Sequence, residues 1–284
     1  MKRLPTKKAF MLFYAFDIVL LIIVAVFLLP FSKNRNVQES IKTALLDSAL
    51  EKEITEIRIV DRQKKYGITM YRMDDRWIGT DTESNNTLYW PVNQQTMERF
   101  FKAVTTENIW TKKASNVTSW EKLGVDTENA VEVDLRIDAK TAGAFFFGFM
   151  DDLTGDRFFR TSKESTVWSS QSSVENFIFG MLANNWADPY LVPPCISGMS
   201  PKDSESYLRR GELAYIKPGD HIQPIKTFKK YFESGNHAVY SFYEKDDQIV
   251  VIPEFYGDEY LRLLSYRYTI SRWTYDKFIK ELDK

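Results

Sequence analysis

The chain has 284 residues, which is enough for a membrane anchor together with one large domain or two small ones. Its 38 basic and 39 acidic residues leave a net charge of −1, and this balance argues against a nucleic-acid partner, because such proteins carry a basic surplus. A single cysteine, Cys195, excludes an intramolecular disulfide.

The first predicted element is an apolar segment at residues 10–31, which is long enough to cross the hydrocarbon layer as a helix. A cleaved signal peptide is the alternative, but this apolar run exceeds the usual core of such peptides and bulky residues follow it. We therefore predict a retained transmembrane anchor in contact with the lipid bilayer. More basic residues precede the span than follow it, which predicts a cytoplasmic tail at residues 1–9 and an extracytoplasmic body.

Asp17 lies within this predicted anchor. A carboxylate in hydrocarbon costs about 2.5–3.5 kcal/mol on insertion scales, and a partner or water usually satisfies it. One interpretation is that Asp17 contacts a polytopic membrane protein. The other is that Asp17 is protonated or reaches the headgroups beside Tyr14, and the sequence leaves both interpretations open.

The chain then leaves the membrane through residues 32–53, which we predict to form a juxtamembrane helix. Within this segment apolar residues recur at every fourth position, namely Val37, Ile41, Leu45 and Ala49. This spacing gives a helix one apolar face.

A first α+β lobe is predicted at residues 54–190. Its strands are predicted from short apolar or alternating runs, at residues 57–59, 68–71, 77–78, 131–137, 143–149, 157–160 and 166–169. The clearest is 131–137, where apolar and charged residues alternate, and we expect 143–149 to pair with it. One helix is predicted to begin after Asn93 as its N-cap, and another over residues 174–182 after a capping box at Ser172.

A proline-rich linker is predicted at residues 191–205, followed by a second, smaller α+β lobe at residues 206–284. We expect a helix over residues 222–232, strands at 237–243, 248–255 and 260–270, and a closing helix. The apolar stripe of this last helix repeats that of the 174–182 helix at a displacement of 101 positions, as from Phe177 to Phe278. Duplication and chance both explain the repeat. The predicted fold class is therefore α+β, with an N-terminal transmembrane helix followed by antiparallel sheets with packed helices, arranged as two related or two independent lobes.

No catalytic motif stands out in the sequence. His221 and His237 are the only histidines and belong to no metal-binding pattern, and the acidic loop 151–156 lacks the ligand spacing of a calcium loop. Ser119 and Lys122 fit Ser-x-x-Lys, but the companion motifs are missing and Ser119 is better explained as a helix N-cap. We predict no catalytic, cofactor-binding or metal-binding residue, while carboxylate pairs for glycosidic chemistry stay open.

Several motifs within residues 66–193 follow one another in the order of a known family. They are Met73-Asp74-Asp75-Arg76-Trp77-Ile78, Tyr89-Trp90-Pro91-Val92, Ser119-Trp120-Glu121-Lys122-Leu123-Gly124-Val125-Asp126, Phe147-Gly148, Arg157-Phe158-Phe159-Arg160, Val167-Trp168 and Trp186-Ala187-Asp188. Together with the apolar N-terminus, this stretch resembles the domain-of-unknown-function family of membrane-anchored extracytoplasmic proteins that accompany gliding-motility-type ABC transporters. That family has no assigned catalytic residues, so the resemblance implies association with an exporter rather than a reaction.

We therefore expect a non-enzymatic accessory or assembly subunit of an ABC-type transporter complex. It would be a single-pass protein of the cytoplasmic (inner) membrane, with a polytopic membrane protein as partner and contacts made on the extracytoplasmic side. The alternatives are an envelope glycan- or lipid-binding module and a hydrolase without a recognisable motif.

Overall fold

The computed structural model of the chain describes residues 14, 18–20, 39–81, 88–180, 182–197, 211–215, 223–232, 235–245 and 247–282. The chain divides into two compact units, Met1–Ser40 and Ile41–Lys284. In the first unit, Tyr14 and residues 18–20 are helical, and the remainder of the predicted anchor, including Asp17, lies outside the described residues. No helix within the described ranges is both long enough and apolar enough to cross a membrane.

Antiparallel sheets make up most of the larger unit. The strands, in chain order, are β1 (Ser40–Thr43), β2 (Glu56–Asp61), β3 (Tyr66–Met73), β4 (Arg76–Asp81), β5 (Trp90–Pro91), β6 (Asn108–Ala114), β7 (Val131–Ile137), β8 (Lys140–Met150), β9 (Arg157–Thr161), β10 (Val167–Ser170), β11 (Glu212–Leu213), β12 (Lys226–Tyr231), β13 (His237–Lys245), β14 (Gln248–Tyr256) and β15 (Tyr268–Ser271). One sheet has ten strands in the order β1-β6-β10-β9-β8-β7-β2-β3-β4-β5, and the other has five in the order β11-β15-β14-β13-β12. The predicted α+β class, with antiparallel sheets and packed helices, is confirmed.

Short helices connect or follow these strands. They are α1 (Gln94–Thr105), α2 (Trp120–Leu123), α3 (Glu175–Ile178), α4 (Leu182–Trp186), α5 (Pro194–Ser197), α6 (Glu259–Leu263) and α7 (Arg272–Leu282), together with 3₁₀ helices at Ser48–Glu53 and Val117–Ser119. The predicted cap of α1 is confirmed, because the Asn93 side chain accepts a hydrogen bond from the Thr96 amide at 2.9 Å. Its inner face is apolar, with Phe100 fully buried.

The predicted strands of the first lobe are largely confirmed. The β7 strand has the bounds that its alternation predicts, and it pairs with β8 over its whole length. The hairpin of β3 and β4 also forms, and Asp74 adopts a φ of 57° in its turn. These elements were predictable because each hairpin pairs residues that are close in the sequence.

The helix predicted for the juxtamembrane segment is wrong over the residues that are described. Residues 40–43 form β1, and only Ser48–Glu53 are helical, as a 3₁₀ helix capped by Asp47, which accepts from the Ala49 amide at 2.9 Å. The Leu46 amide donates to the Val104 carbonyl at 2.9 Å, and this long-range bond takes the backbone out of a helical ladder.

Three further predictions fail, one through tertiary strand pairing and two through local backbone signals. Residues 226–231, predicted as helix, form β12 and pair with β13 along their full length. The first part of the predicted strand 260–270 is helical instead, because it belongs to α6, which Asp258 caps by accepting from the Leu261 amide at 2.9 Å. The strand begins only at Tyr268. The predicted helix 174–182 is interrupted at Gly180, whose φ of 95° is left-handed.

One strand order occurs twice in the larger unit. In β6-β10-β9-β8-β7 and in β11-β15-β14-β13-β12, the first strand of a five-strand segment pairs with the last, and the others follow in reverse chain order. Each segment is followed by a helix, α3 or α7. The β2–β5 segment is a meander of consecutive strands without the pairing of first strand with last, and it is likewise followed by a helix, α1.

A sequence motif marks the same place in all three segments, where the last strand passes into the helix. It consists of an asparagine or serine, two residues of any type, a hydroxyl residue, an apolar residue, two polar residues, a phenylalanine and an apolar residue. The copies are Asn93 to Phe101, Ser170 to Ile178 and Ser271 to Ile279. In the third copy Ser271 caps as Asn93 does, by accepting from the Thr274 amide at 3.1 Å.

The helices that follow β5 and β10, namely α1 and α3, pack against one another. Phe100 and Phe177 hold the same position in the motif, and their rings meet edge to face at 5.8 Å. Trp186 of α4 contacts both rings, at 5.1 Å and 6.0 Å, and its Nε1 donates to the Phe177 carbonyl at 3.0 Å. This aromatic cluster fixes the junction of α1 with α3 and α4.

Gly79 makes room for the largest buried ring in the ten-stranded sheet. It pairs with Trp90 across β4 and β5, and a Cβ at position 79 would lie 2.2 Å from the Trp90 ring. Trp90 is fully buried, so the ring has little freedom to retreat.

We expect Gly79→Ala to lower the free energy of unfolding by about 1–3 kcal/mol, because an added methyl overpacks the site. Urea unfolding measures this change. In a Trp90→Leu background the same substitution should cost less, because the contact is gone. An equal cost in both backgrounds would show that the ring contact is not the cause.

Candidate functional site

A groove of about 600 Å³ lies at the junction of α1 with α3 and α4. We call it the helix-junction groove. The α1 side contributes Arg99, Lys102 and Ala103, and the opposite side contributes Asn176, Phe177 and Asn185. Hydroxyl groups and a further amide complete it, from Thr96, Thr106, Ser173 and Asn108.

The repeated motif places these side chains. Arg99 and Asn176 occupy the same motif position in α1 and α3, as do Thr96 and Ser173, so equivalent positions line the two walls. The Phe100 and Phe177 contact beneath them holds the walls in place. Arg99 and Lys102 are three positions apart on α1 and therefore lie on one face of the helix.

The groove is cationic. Arg99 donates to the Gln95 carbonyl at 3.3 Å and to Thr96 Oγ1 at 3.4 Å, both within its own helix. Neither Arg99 nor Lys102 forms an ion pair with another residue in the described part of the chain. The residues that line the groove include no carboxylate, histidine or cysteine, so its charged groups are both cationic and suit an anion.

The chain matches no family model, no curated protein and no solved structure. The family resemblance described above therefore stays a prediction.

The structure does not bring the residues considered from the sequence together into one site. Asp17 and His221 lie outside the described residues. His237 stands in a row between Tyr231 and Tyr256, with its ring stacked on Tyr256 at 4.6 Å. Across the described ranges, no group of three or more His, Cys, Asp or Glu residues could hold a metal ion.

The acidic loop 151–156 is the turn between β8 and β9. Asp151 pairs with Lys113 at 3.0 Å, and the Asp151 amide donates to the Asp156 carbonyl at 2.7 Å. The hydrogen bond from Lys113 lowers the pKa of Asp151 below its usual range. The carboxylate that would begin a calcium loop is therefore engaged in an ion pair.

The Ser119 and Lys122 segment is held as a structural element. Ser119 is the N-cap residue of α2 and Gly124 is its C-cap, as predicted, although Ser119 Oγ donates to Asn116 Oδ1 at 2.9 Å and makes no bond to the helix. The buried Arg160 guanidinium lies between the rings of Trp120 and Phe146, at 3.9 Å and 3.8 Å. This stacking fixes α2 against the sheet.

Cys195 and Asp188 lie in a buried cluster with tyrosines near β15 and α6. Burial raises the pKa of the Cys195 thiol to about 12, so the thiol stays protonated at neutral pH and is a poor nucleophile. Its Sγ lies 3.9 Å from the Tyr260 hydroxyl, which donates to the Trp77 carbonyl at 3.1 Å. The cysteine is thus part of the packing between the two sheets.

Asp188 is the most perturbed carboxyl group of this cluster. Its Oδ1 accepts from the Tyr190 amide at 3.0 Å, and its backbone carbonyl accepts from the Tyr268 hydroxyl. Burial raises the pKa of Asp188 from 3.8 to about 7, because no cation compensates the desolvated carboxylate.

Sequence reasoning missed the groove. In the sequence, Arg99 and Lys102 fit the polar, solvent-exposed face of an amphipathic helix, and such a face usually has no binding role. The recurrence of their motif around Phe177 was the available signal, because it predicts that two equivalent helices meet.

We expect Asp188→Asn to flatten the pH dependence of stability between pH 4 and 7. The folded carboxyl keeps a proton that the unfolded chain releases, so its contribution is full below pH 4 and is lost as pH rises to about 7. At about 1.4 kcal/mol per pKa unit the loss is about 4 kcal/mol.

Urea unfolding across this pH range measures the slope. Cys195→Ala is the control, because a thiol with a pKa of about 12 does not titrate there and the slope should persist. A slope that survives Asp188→Asn would assign the effect to another group.

Proposed function

We propose that the chain is a non-enzymatic, membrane-anchored accessory or assembly subunit of an ABC-type transporter complex, acting through protein contacts on the extracytoplasmic side. The observation that carries the proposal is the helix-junction groove, whose Arg99 and Lys102 form no ion pair with other described residues. Such a groove offers a positively charged surface to a binding partner. The resemblance over residues 66–193 supports the same class of protein.

The topology proposed with this function follows the N-terminal sequence. Residues 10–31 would span the cytoplasmic membrane as one helix, with residues 1–9 in the cytoplasm and the body outside it. Asp17 would contact a polytopic membrane protein within the bilayer. The repeated strand order and motif support a body built from related lobes.

A second candidate function is an envelope glycan-binding module. The row of Tyr231, His237 and Tyr256 favours it, because Tyr231 is 66% exposed and Tyr256 is 46% exposed. Exposed aromatic rings contribute to binding through their apolar faces. Here, however, the rings stack on one another across the strands, which leaves only the outer faces of the end rings for a sugar.

The full-length protein, extracted from its membrane in mild detergent, is expected to co-purify with a polytopic membrane protein and its ATPase. Asp17→Leu should lower the recovery, because it removes the carboxylate proposed to contact the partner. Val19→Leu, an apolar change in the same segment, should leave it unchanged. Mass spectrometry of the purified material measures both. Recovery of the protein alone would overturn the proposal and favour the glycan-binding module.

A further inference from the structure

We propose that the helix-junction groove binds an acidic, extended peptide segment of the partner protein. This inference rests on the proposed function and names the chemistry of the contact. It depends on three features of the groove, namely its cations, its amides and its apolar floor.

The groove carries two cationic side chains on one helix. Arg99 and Lys102 are exposed and lie one turn apart on α1. An arginine fork matches a carboxylate in two parallel hydrogen bonds, and a lysine adds a second positive charge. Two carboxylates on alternate residues of an extended segment point to the same side, so one segment can meet both cations.

Among the described residues, no carboxylate forms an ion pair with Arg99 or Lys102. Those that adjoin groove residues in the sequence are engaged elsewhere: Glu98 accepts from Gln94 Nε2 at 3.1 Å, Glu107 pairs with Lys42 at 3.1 Å, and Glu175 pairs with Arg157 at 2.6 Å. The positive charge of the groove is therefore available to a ligand.

The amides suit a peptide backbone. Asn108 Nδ2 donates to the Thr106 carbonyl at 3.0 Å, and Asn185 Nδ2 donates to the Phe179 carbonyl at 3.2 Å, which orients both side-chain oxygens as acceptors. Asn176 is exposed on the facing wall. A side-chain amide can accept from a backbone N–H and donate to a backbone C=O, as an extended segment requires.

The floor is apolar. Ala103 is buried and Phe177 is half-buried between the walls, so an apolar side chain of the segment can rest on them. A saccharide fits less well. Sugar hydroxyl groups commonly donate hydrogen bonds to carboxylates, and the residues lining the groove include none.

The chain provides a matched control on α7. Lys277 and Lys280 hold the motif positions of Arg99 and Lys102 in the third segment, with the same spacing and exposure. Lys277 lies 5.2 Å from the centre of the Trp273 ring, on a helix that does not line the groove. The double variant Lys277→Glu with Lys280→Glu therefore changes the net charge by the same amount as Arg99→Glu with Lys102→Glu. It does so at the equivalent place on a helix outside the groove.

The first test uses full-length protein in detergent and a fluorescein-labelled peptide of alternating Glu and Leu, with binding measured by fluorescence anisotropy. We expect binding that weakens as salt rises. Arg99→Glu with Lys102→Glu should weaken it at least about tenfold, because each carboxylate then faces a like charge. The α7 pair of changes should leave it within about twofold.

Three outcomes would overturn the inference. The first is that a peptide with Gln in place of Glu binds equally well. The second is that the α1 and α7 charge reversals change the affinity for the peptide by the same factor. The third is that an oligogalacturonate binds while the acidic peptide does not. The last outcome would assign the groove to an acidic saccharide. Arg99→Gln with Lys102→Gln guards against misfolding, and it should weaken binding with an unchanged melting temperature.

The second test separates this inference from the proposed function. In the detergent extraction, Arg99→Glu with Lys102→Glu should lose the polytopic partner while the α7 pair of changes retains it. A partner retained by both would overturn the groove inference and leave the proposed function standing. A native chain recovered alone would overturn the proposed function, and the anisotropy result would then decide what the groove binds.

Discussion

The antiparallel pairing of β2 with β7 joins the first two segments into one sheet, and the other contacts of the first lobe depend on it. The two strands carry the same short pattern, Glu56-Ile57-Arg58-Ile59 in one and Asp134-Leu135-Arg136-Ile137 in the other. In the observed register each acidic residue lies opposite an arginine, Glu56 opposite Arg136 and Asp134 opposite Arg58. Arg136 also pairs with Asp134 at 2.6 Å, so the two buried carboxylates are compensated. Between them the apolar side chains of both strands face one core.

This near-symmetric pairing of β2 with β7 determines where the helices lie. Because the segments diverge from a shared pair of strands, the helices that follow their last strands end on the same core and meet through equivalent phenylalanines. Equivalent motif positions therefore line the two walls of the groove with different side chains, Arg99 on one wall and Asn176 on the other. The two walls are thus unequal in charge, and the positive side chains lie on α1.

Much of the sheet was predictable from the sequence, because hairpins such as β3–β4 and β7–β8 pair neighbouring residues and show alternation. The Asn93 cap was predictable for the same reason, since its bond to Thr96 is local. Residues 226–231 were not, because four-residue spacing of aromatics mimics a helix while the pairing with β13 decides the outcome. The groove was harder to predict, because Lys102 and Asn185 come together only through the packing of Phe100, Phe177 and Trp186. Asp188 likewise has a raised pKa because the folded chain buries it, which its local sequence does not indicate.

The complementarity of β2 and β7 also affects how the chain folds as it is made. The β2–β5 meander is synthesised first, and the edge of β2 stays open until residues 131–137 leave the ribosome. The strand that closes this edge is β7 of the second segment, which pairs with β2 along its whole length. The ten-stranded sheet is therefore completed only after both segments have been synthesised.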